Sequence, residues 1–308
     1  MTTLLDMINE VSMNLSGYTL QQDRATHITA DVAATASTIA APITLSLAST
    51  DSVGKGIVEI DEELFYVDNY DRVGNTATIA PYGRAYLGTT LAAHTAGTKV
   101  TIAPTFPRFT IKRAINDTIS AIGSSIFAAN TTTITSNSAV SAFRLPTTGT
   151  TLNIRNILAI AYQALGSSKE WIPIRSYRFD GNANSTAFTS GQTVSIYDYI
   201  PSGRSVQVVY ATDPTPFTTN AQEFATQTGL PESCKDLIIL GATYRLLSNL
   251  DPARASMVSP QADETDSKRP YGSSQSLTRQ VYALFTQRLN EEVKSQQEKY
   301  PIRVHYSL

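Results

Sequence analysis

Four segments of the chain carry apolar residues at helical spacing, and two long stretches between them lack that spacing. In the first segment, apolar residues recur every three or four positions and would share one face of a helix. These residues are Leu4, Ile8, Val11 and Leu15. Such a narrow apolar stripe cannot stabilise an isolated helix, so we expect the four helices to pack on one another.

The other three helical segments begin or end at prolines. The second begins at Pro107, the third follows Pro231, and the fourth, residues 276–299, ends before Pro301. The third is apolar around its whole circumference, which predicts that its centre is buried. The predicted inward faces of the second and fourth are Ile111, Ile115, Ile119, Ile122 and Ile126, and Leu277, Val281, Leu284, Phe285, Leu289 and Val293.

Residues 25–103 alternate between apolar and polar side chains, as β-strands do. Gly74-Asn75 between two such runs is a hairpin signal. The predicted strands are Gly56–Ile60, Leu64–Val67, Thr76–Ile79 and Thr98–Ile102. The pattern fits a small barrel and a meander equally.

Residues 131–224 form a second β-rich stretch, in which glycines and prolines separate the predicted strands. Strands at this spacing indicate a small sandwich. The predicted strands are Ala139–Leu145, Ile154–Tyr162, Trp171–Phe179, Gln192–Tyr197 and Ser205–Tyr210.

The predicted fold class is therefore α+β: a discontinuous helical bundle core with two β-rich insertions. The core would comprise residues 1–24, 104–130 and 225–308, and the insertions residues 25–103 and 131–224. Residues 251–275 lack periodicity, and we expect them to form an exposed loop.

Charge and cysteine content narrow the functional classes. The 308 residues include 24 Lys and Arg against 26 Asp and Glu, a net charge of −2, which disfavours a protein that coats phosphates. Cys234 is the only cysteine, so no intrachain disulfide and no four-cysteine zinc site can form. The first 15 residues lack the basic start of a secretory signal, and no apolar run is long enough to span a bilayer. We expect a soluble protein that is synthesised in the cytoplasm.

No catalytic motif stands out. The three histidines, His27, His94 and His305, lie in separate segments, and no nucleophile elbow or metal-binding motif occurs. Residues 53–56 contain Gly-Lys but lack the first glycine of a phosphate-binding loop, so a turn before a strand is favoured. Cys234 precedes an apolar helix, which favours a buried structural thiol over a reactive one. We expect no enzymatic activity, no metal and no cofactor.

Three clusters allow a functional and a structural interpretation. The acidic cluster of Glu59, Asp61, Glu62 and Glu63 could hold a hard cation, although a solvated hairpin turn is favoured. The aromatic and basic cluster of Arg175, Tyr177, Arg178 and Phe179 could stack bases, although alternating strand packing is favoured. His94, with Gly97 and Thr98, is expected to lie in a turn between strands.

The C-terminal segment after the last helix is extended and alternates apolar and polar residues. Such a segment can add a strand to a partner's sheet or fill its groove, while the plain alternative is a frayed terminus. Both interpretations stay open on chemistry alone. The candidate binding residues are Tyr300, Pro301, Ile302, Arg303, Val304, His305, Tyr306 and Leu308.

Several short motifs, in order from residue 56 to residue 308, resemble tailed-bacteriophage head-to-tail adaptor proteins, also called neck or connector proteins. In the first half of the chain they are Glu59–Val67 (EIDEELFYV), Arg84–Thr89 (RAYLGT), His94–Gly97 (HTAG), Lys99–Thr101 (KVT), Pro104–Arg108 (PTFPR) and Ala114–Asp117 (AIND). In the second half they are Leu240–Leu247 (LGATYRLL), Arg279–Tyr282 (RQVY), Arg288–Glu292 (RLNEE) and the closing Tyr300–His305 (YPIRVH).

The resemblance implies a structural virion protein in the neck, between the capsid vertex and the tail. Its helical core would form a ring, usually of twelve copies, through which DNA passes without sequence-specific binding. The segment from Tyr300 to Leu308 would pack into the portal protein, and the β-rich insertions would contact tail, nozzle or tail-terminator proteins. No membrane contact is implied.

Two other functions remain as alternatives. A tail-side receptor-binding or carbohydrate-binding protein would use the Ser/Thr/Asn-rich β segments and the 15 tyrosines, and would be a trimer. A cell-wall hydrolase would need a carboxylate pair in a cleft, for which Glu59, Asp61 and Glu63 are the one cluster to consider.

Overall fold

The computed structural model describes residues 2–19, 23–35, 37–137, 139–146, 153–165, 170–248 and 273–301. It contains both helices and antiparallel sheets, so the predicted mixed α+β class is confirmed. The chain divides into two compact units. One, the barrel unit, comprises Leu5–Ile115 and Ile239–Val281; the other, the sandwich unit, comprises Met1–Leu4, Asn116–Ile238 and Tyr282–Leu308.

Six antiparallel strands of the barrel unit form one sheet in the order β1-β6-β3-β4-β5-β2. The two outer strands then meet: Ile28 pairs with Leu47, and the Thr29 and Ala48 amides donate to the Ser46 and His27 carbonyls at 2.8 and 3.0 Å. The sheet is therefore a closed barrel rather than an open meander. Its strands are β1 (Arg24–His27), β2 (Ile43–Ser46), β3 (Gly56–Ile60), β4 (Glu63–Asp71), β5 (Thr76–Ile79) and β6 (Lys99–Ile102).

Aliphatic side chains and one phenylalanine fill the barrel interior, because alternate residues of each strand point inward. They include Leu45, Val58, Ile60, Phe65, Val67, Ile79 and Val100. The four predicted strands of this region are confirmed as β3 to β6. The strands β1 and β2 were not predicted, since each has only four residues and β1 is mostly polar.

Two antiparallel sheets of the sandwich unit share one hydrophobic core, which is the arrangement of a β-sandwich. One sheet has the strand order β10-β9-β13-β7 and the other β11-β12-β8. The strands are β7 (Ala128–Thr135), β8 (Ala142–Arg144), β9 (Ile154–Gln163), β10 (Trp171–Pro173), β11 (Tyr177–Asp180), β12 (Thr193–Ile196) and β13 (Ser205–Thr212). The shared core includes Ile157 and Val208 from the first sheet and Val194 and Ile196 from the second.

Two predictions are wrong in this unit, one for a strand and one for the end of a segment assigned to the helical core. Residues 171–179 are not one strand, because the chain follows β9 only as far as Ile174, whose amide donates to the Ile160 carbonyl oxygen, and then enters the second sheet at Tyr177. The strand β7 begins at Ala128, inside the segment predicted as helical to residue 130. The helix before it stops at Ile122, ahead of Gly123, and the following β-branched residues favour a strand.

Among the described residues, all four predicted helices are present, and two shorter α-helices accompany them. They are α1 (Leu4–Thr19), α2 (Ser37–Ala40), α3 (Arg108–Ile122), α4 (Phe224–Thr228), α5 (Lys235–Ser248) and α6 (Ser273–Lys299). The predicted inward residues of α1 and α3 are buried. On α6, Val281 and Phe285 are buried as predicted, but Leu284 is 46% exposed, so its predicted inward position is wrong. None of the described helices is long and apolar enough to cross a membrane.

Gly83 lies where the barrel loop after β5 crosses β4. A Cβ atom at this position would lie 2.8 Å from the Ala80 carbonyl oxygen and 2.9 Å from the Tyr66 carbonyl oxygen. We expect Gly83→Ala to lower the free energy of unfolding by about 1–3 kcal/mol, because backbone atoms would have to move. Circular dichroism in urea measures unfolding of the whole chain, and fluorescence of Trp171, the only tryptophan, follows the sandwich, so destabilisation of the barrel should appear in the first signal and not in the second.

Gly54→Ala is the matched control, since no atom lies within 4 Å of a Cβ built there. We expect it to change the free energy of unfolding by less than about 0.5 kcal/mol. Equal effects of the two substitutions would contradict the close packing at Gly83.

Candidate functional site

Three of the motifs quoted above converge on a buried cluster of charged side chains in the barrel unit. Glu63 begins β4 after the two-residue turn Asp61-Glu62, which connects it to β3. Arg84 lies in the loop after β5, and His94 lies in a later loop whose backbone pairs with Val32. The barrel thus brings together side chains that are 21 and 31 residues from Glu63 in sequence.

The Glu63 carboxylate is the centre of this cluster. Its Oε1 accepts hydrogen bonds from Arg84 Nε and the Ala85 amide, both at 3.0 Å. Its Oε2 accepts from Arg84 Nη2 at 2.9 Å and from the Ala92 amide at 3.0 Å. The Arg84 contact is therefore bidentate, which is the strongest geometry for a guanidinium and a carboxylate.

Arg84 is buried and uses its remaining donors on the backbone. It donates to the carbonyl oxygens of Ala33 and Ala92, and its guanidinium carbon lies 5.1 Å from the centre of the Phe65 ring. A cation over an aromatic face is stabilised by the ring's electrons. The Arg84 guanidinium therefore connects the loops that contain Ala33 and Ala92 with Glu63, and it also contacts the barrel core at Phe65.

His94 bridges two carboxylates. Its Nε2 lies 3.0 Å from Glu63 Oε2, and its Nδ1 lies 2.8 Å from Asp61 Oδ2. Only an imidazolium can donate from both nitrogens, so this geometry favours the charged form. Burial alone would lower the pKa of His94, but the hydrogen bonds to Glu63 and Asp61 outweigh burial and raise it.

The pKa of Glu63 is lowered for the corresponding reason. Burial by itself raises the pKa of a carboxyl group, but donation from His94, Arg84 and the amides of Ala92 and Ala85 lowers that of Glu63 to about 2. The side chains of Glu63, Arg84 and His94 have no solvent-exposed surface, whereas that of Asp61 is largely exposed. A reactant in solution cannot reach the three buried groups, so the arrangement is suited to holding loops together.

A second pair of carboxylates connects the same hairpin to the start of α3. Glu59, which is buried, accepts the backbone amide of Arg108 at the first residue of the helix. Glu62 Oε2 lies 3.1 Å from Lys112 Nζ, one turn further along. Burial, opposed by the Arg108 amide and charge and supported by the nearby charges of Asp23 and Glu62, raises the pKa of Glu59 to about 7.

The acidic cluster is thus a hairpin turn, as favoured from the sequence, but its expected solvation is wrong for Glu59 and Glu63. Both are buried, because each carboxylate has its own partners from the barrel or from α3. Across the described residues, no group of three His, Cys, Asp or Glu side chains is arranged to hold a metal ion. Of the three carboxylates considered for a hydrolase, Glu59 and Glu63 are buried and Asp61 is exposed.

The other candidate residues named from the sequence contribute to packing or to turns. Cys234 is buried, and its burial, with the nearby Glu292 carboxylate, raises the pKa of the thiol to about 12, in line with a structural thiol. Val53 belongs to the barrel core just before β3, which confirms the turn before a strand. Tyr177 and Phe179 pack against the sandwich core while Arg178 is exposed, as alternating strand packing requires.

Of the predicted C-terminal binding residues, two fall within the described part of the chain. The Tyr300 ring centre lies 5.9 Å from that of Phe127, and the Tyr300 amide donates to the Gln296 carbonyl oxygen. Pro301 is exposed. Ile302, Arg303, Val304, His305, Tyr306 and Leu308 lie outside the described residues.

In the sequence, Arg84 stands out only as the first residue of the motif Arg84–Thr89, and nothing there indicates its pairing with Glu63. A search for nearby charges cannot find the pair, since 21 residues separate the two side chains. The sequence signal for Arg84 was its position as a single arginine in a glycine-containing loop, next to Gly83 and four residues before Gly88.

No protein-family model matches the chain, and no curated protein matches its sequence.

Replacement of Arg84 tests whether the cluster holds the barrel together. We expect Arg84→Met to lower the free energy of unfolding by about 3–5 kcal/mol, because it leaves the Glu63 charge buried without its main partner. The double variant Glu63→Gln/Arg84→Met should lose less than the sum of the two single variants, since it removes both charges. Urea unfolding followed by circular dichroism measures all three.

Lys55→Met is the matched control for Arg84→Met. Lys55 Nζ lies 3.8 Å from Asp68 Oδ1, and both side chains are exposed, so the substitution should change stability by less than about 0.5 kcal/mol. An Arg84→Met variant that is no less stable than Lys55→Met would show that the buried cluster has no structural importance.

The raised pKa of Glu59 predicts a pH dependence of stability. Between pH 4.5 and about 7 the folded protein retains a proton on Glu59 that the unfolded chain has lost, so this group's contribution to stability falls as pH rises through that window. We expect Glu59→Gln to stabilise the protein at pH 8, on the order of 1–3 kcal/mol, and to have little effect at pH 4.5. Thermal unfolding at both pH values measures the difference, with the exposed Glu298→Gln as control. An effect of Glu59→Gln that is independent of pH would contradict this prediction.

Proposed function

We propose that this chain is a structural protein of a tailed-bacteriophage virion, which forms a ring between the portal and the tail and lets DNA pass through its channel. The observation that carries the proposal is the convergence of Glu63, Arg84 and His94. They come from three of the segments that resemble adaptor proteins, and all three side chains are excluded from solvent. A shared role for these motifs in maintaining shape, without an accessible reactive group, fits a scaffold better than an enzyme.

In this proposal the predicted core, residues 1–24, 104–130 and 225–308, contributes its helices to a discontinuous bundle, and the bundles assemble side by side. Exposed apolar side chains support such contacts: Met13 on α1 is 74% exposed, and Tyr282 and Leu284 on α6 are about half exposed. Contacts between two different faces of identical subunits generate a closed ring when the rotation per subunit divides a full turn. Twelve copies would match the portal.

The two β-rich regions then face tail, nozzle or tail-terminator proteins, and the segment from Tyr300 to Leu308 docks into the portal. The near-neutral net charge of −2 suits a conduit, because a strongly basic lining would retain the passing DNA. The proposal includes no catalytic step, no cofactor and no membrane contact, and it locates the protein in the virion neck.

One observation favours a second candidate, a tail-side protein that binds a receptor or carbohydrate. Tyr197 and Tyr199 are 63% and 85% exposed at the end of β12. The Asp198 carboxylate between them accepts the backbone amides of Arg175 and Ser176 at 2.9 and 3.2 Å, which fixes the loop. Exposed aromatic rings on a fixed loop can stack against sugars.

The copy number of the chain in purified virus particles, measured by quantitative mass spectrometry against the portal, distinguishes the candidates. A one-to-one ratio with the portal is expected for the ring adaptor. Three copies, or a small multiple of three, would contradict the ring and favour the receptor-binding candidate. Absence from the particles would contradict both.

Removal of residues 302–308 tests the portal contact. We expect the truncated chain to lose co-sedimentation with the purified portal, because the segment proposed to dock is gone, while the fluorescence of Trp171 still reports a folded sandwich. The double substitution Tyr197→Ser/Tyr199→Ser is the matched control, since it removes exposed apolar surface elsewhere and should leave portal binding intact. Unchanged co-sedimentation of the truncated chain would disprove the assignment of this segment to the portal.

A further inference from the structure

Nearly every sheet edge among the described strands is closed, short or interrupted. The barrel has no edge, because β1 and β2 pair with each other. In the sandwich, β8 and β10 have three residues each and β10 ends in Pro173, while β11 has four residues, two of them charged. These are the devices by which proteins prevent a sheet edge from pairing with other chains.

The strand β7 is the exception. It has eight residues, Ala-Ala-Asn-Thr-Thr-Thr-Ile-Thr, without a charge, a proline or a glycine. It ends the strand order of its sheet, so within the described residues no strand pairs with its outer side. A long, uncharged edge of this kind accepts an additional strand through its backbone groups.

The register identifies which backbone groups face outward. Thr135 pairs with Ser205 and Ile134 with Val206, and the next residue, Ser136, donates its amide to the Arg204 carbonyl oxygen at 2.8 Å. Because backbone groups alternate in direction along a strand, the even-numbered residues of β7 face β13 and the odd-numbered residues face away. The outward groups belong to Ala129, Thr131, Thr133 and Thr135.

A side chain of α6 already occupies the start of this edge. Gln296 Oε1 accepts the amide of Phe127, and Gln296 Nε2 donates to the Phe127 carbonyl oxygen, at 3.2 and 2.6 Å. Phe127 is odd-numbered and directly precedes β7, so the Gln296 amide makes the pair of bonds that a neighbouring strand would make. The ring contact of Tyr300 with Phe127 holds the end of α6 at the same place.

We propose that residues 302–308 of the same chain pair in parallel with the outer edge of β7 in the free protein. Pro301 follows Tyr300, whose ring contacts Phe127, and the seven residues after it span about 23 Å when extended, close to the roughly 26 Å of β7. Ile302, Val304, Tyr306 and Leu308 alternate with polar residues, so they would extend the face on which Ala128 and Ile134 are buried. The covalent connection gives this segment an effective concentration in the millimolar range, which favours it over a second copy.

Pairing with β7 gives the segment a role before the portal is present. It covers the one long open edge of the described strands, and so prevents association of free subunits through it. This inference goes beyond the proposed function and does not rest on it, because it concerns the free chain.

Residue-resolved amide hydrogen exchange by NMR, on the free full-length chain and on a chain lacking residues 302–308, tests the proposal. In the full-length chain we expect slow exchange at Ala129, Thr131, Thr133 and Thr135, and at least about tenfold faster exchange after the deletion. The even-numbered residues, which bond to β13, should exchange slowly in both and report that the sandwich is folded. Val304→Pro, which removes an amide and blocks strand pairing, should reproduce the deletion, while Ser307→Ala should not.

Two outcomes would overturn the proposal. Fast exchange of the odd-numbered amides in the full-length chain would mean that the edge is open. Slow exchange in both chains would mean that something else covers it, and protection that rises with protein concentration would identify a second copy. The portal is absent from this experiment, so its result is independent of the portal-binding test.

Discussion

The buried carboxylate of Glu63 is the contact on which the barrel's loops depend. A single negative charge accepts two bonds from Arg84, one from His94 and two from backbone amides, so the turn after β3, the loop after β5 and the loop that contains His94 share one partner. Burying the charge carries a desolvation cost of several kcal/mol, which these five bonds offset together. The side chains of Glu63 and Arg84 are both closed to solvent. The desolvation cost and the energy of the hydrogen bonds therefore both contribute to the free energy of folding, and neither contributes to binding a ligand.

Local features of the sequence predicted most of the secondary structure, because local chemistry controls it. Apolar stripes identified α1, α3 and α6, apolar residues around the whole circumference identified α5, and alternation identified β3 to β6. The failures have a common physical origin in distant contacts. The barrel closure joins Ile28 to Leu47, the centre of the cluster joins Glu63 to Arg84 and His94, and the break after Pro173 depends on which sheet each strand joins. The alternation of apolar and polar residues within a strand does not indicate which other strand it will pair with.

The barrel buries two carboxylates, Glu59 and Glu63, while several apolar and aromatic side chains are exposed. Charged groups with perturbed pKa values, often a sign of an active site, here serve as internal connections: Glu63 within the barrel and Glu59 to the start of α3. What distinguishes the exterior is exposed apolar or aromatic surface, on α6 and around Tyr197 and Tyr199, together with the uncharged edge of β7. These features are suited to contacts with other proteins or with sugars.

The closure of the barrel has a mechanical consequence. The seam between β1 and β2 consists of the Ile28–Leu47 bridge, two flanking backbone hydrogen bonds and a bond from the Ser49 amide to Thr26 Oγ1, whereas β3 and β4 are joined over five residue pairs. Under a pulling force the strands with the fewest shared bonds separate first, so the barrel should open at this seam while the Glu63 cluster on β4 stays intact. A subunit under tension would thus separate its two outer barrel strands first, while β3 and β4 stay paired.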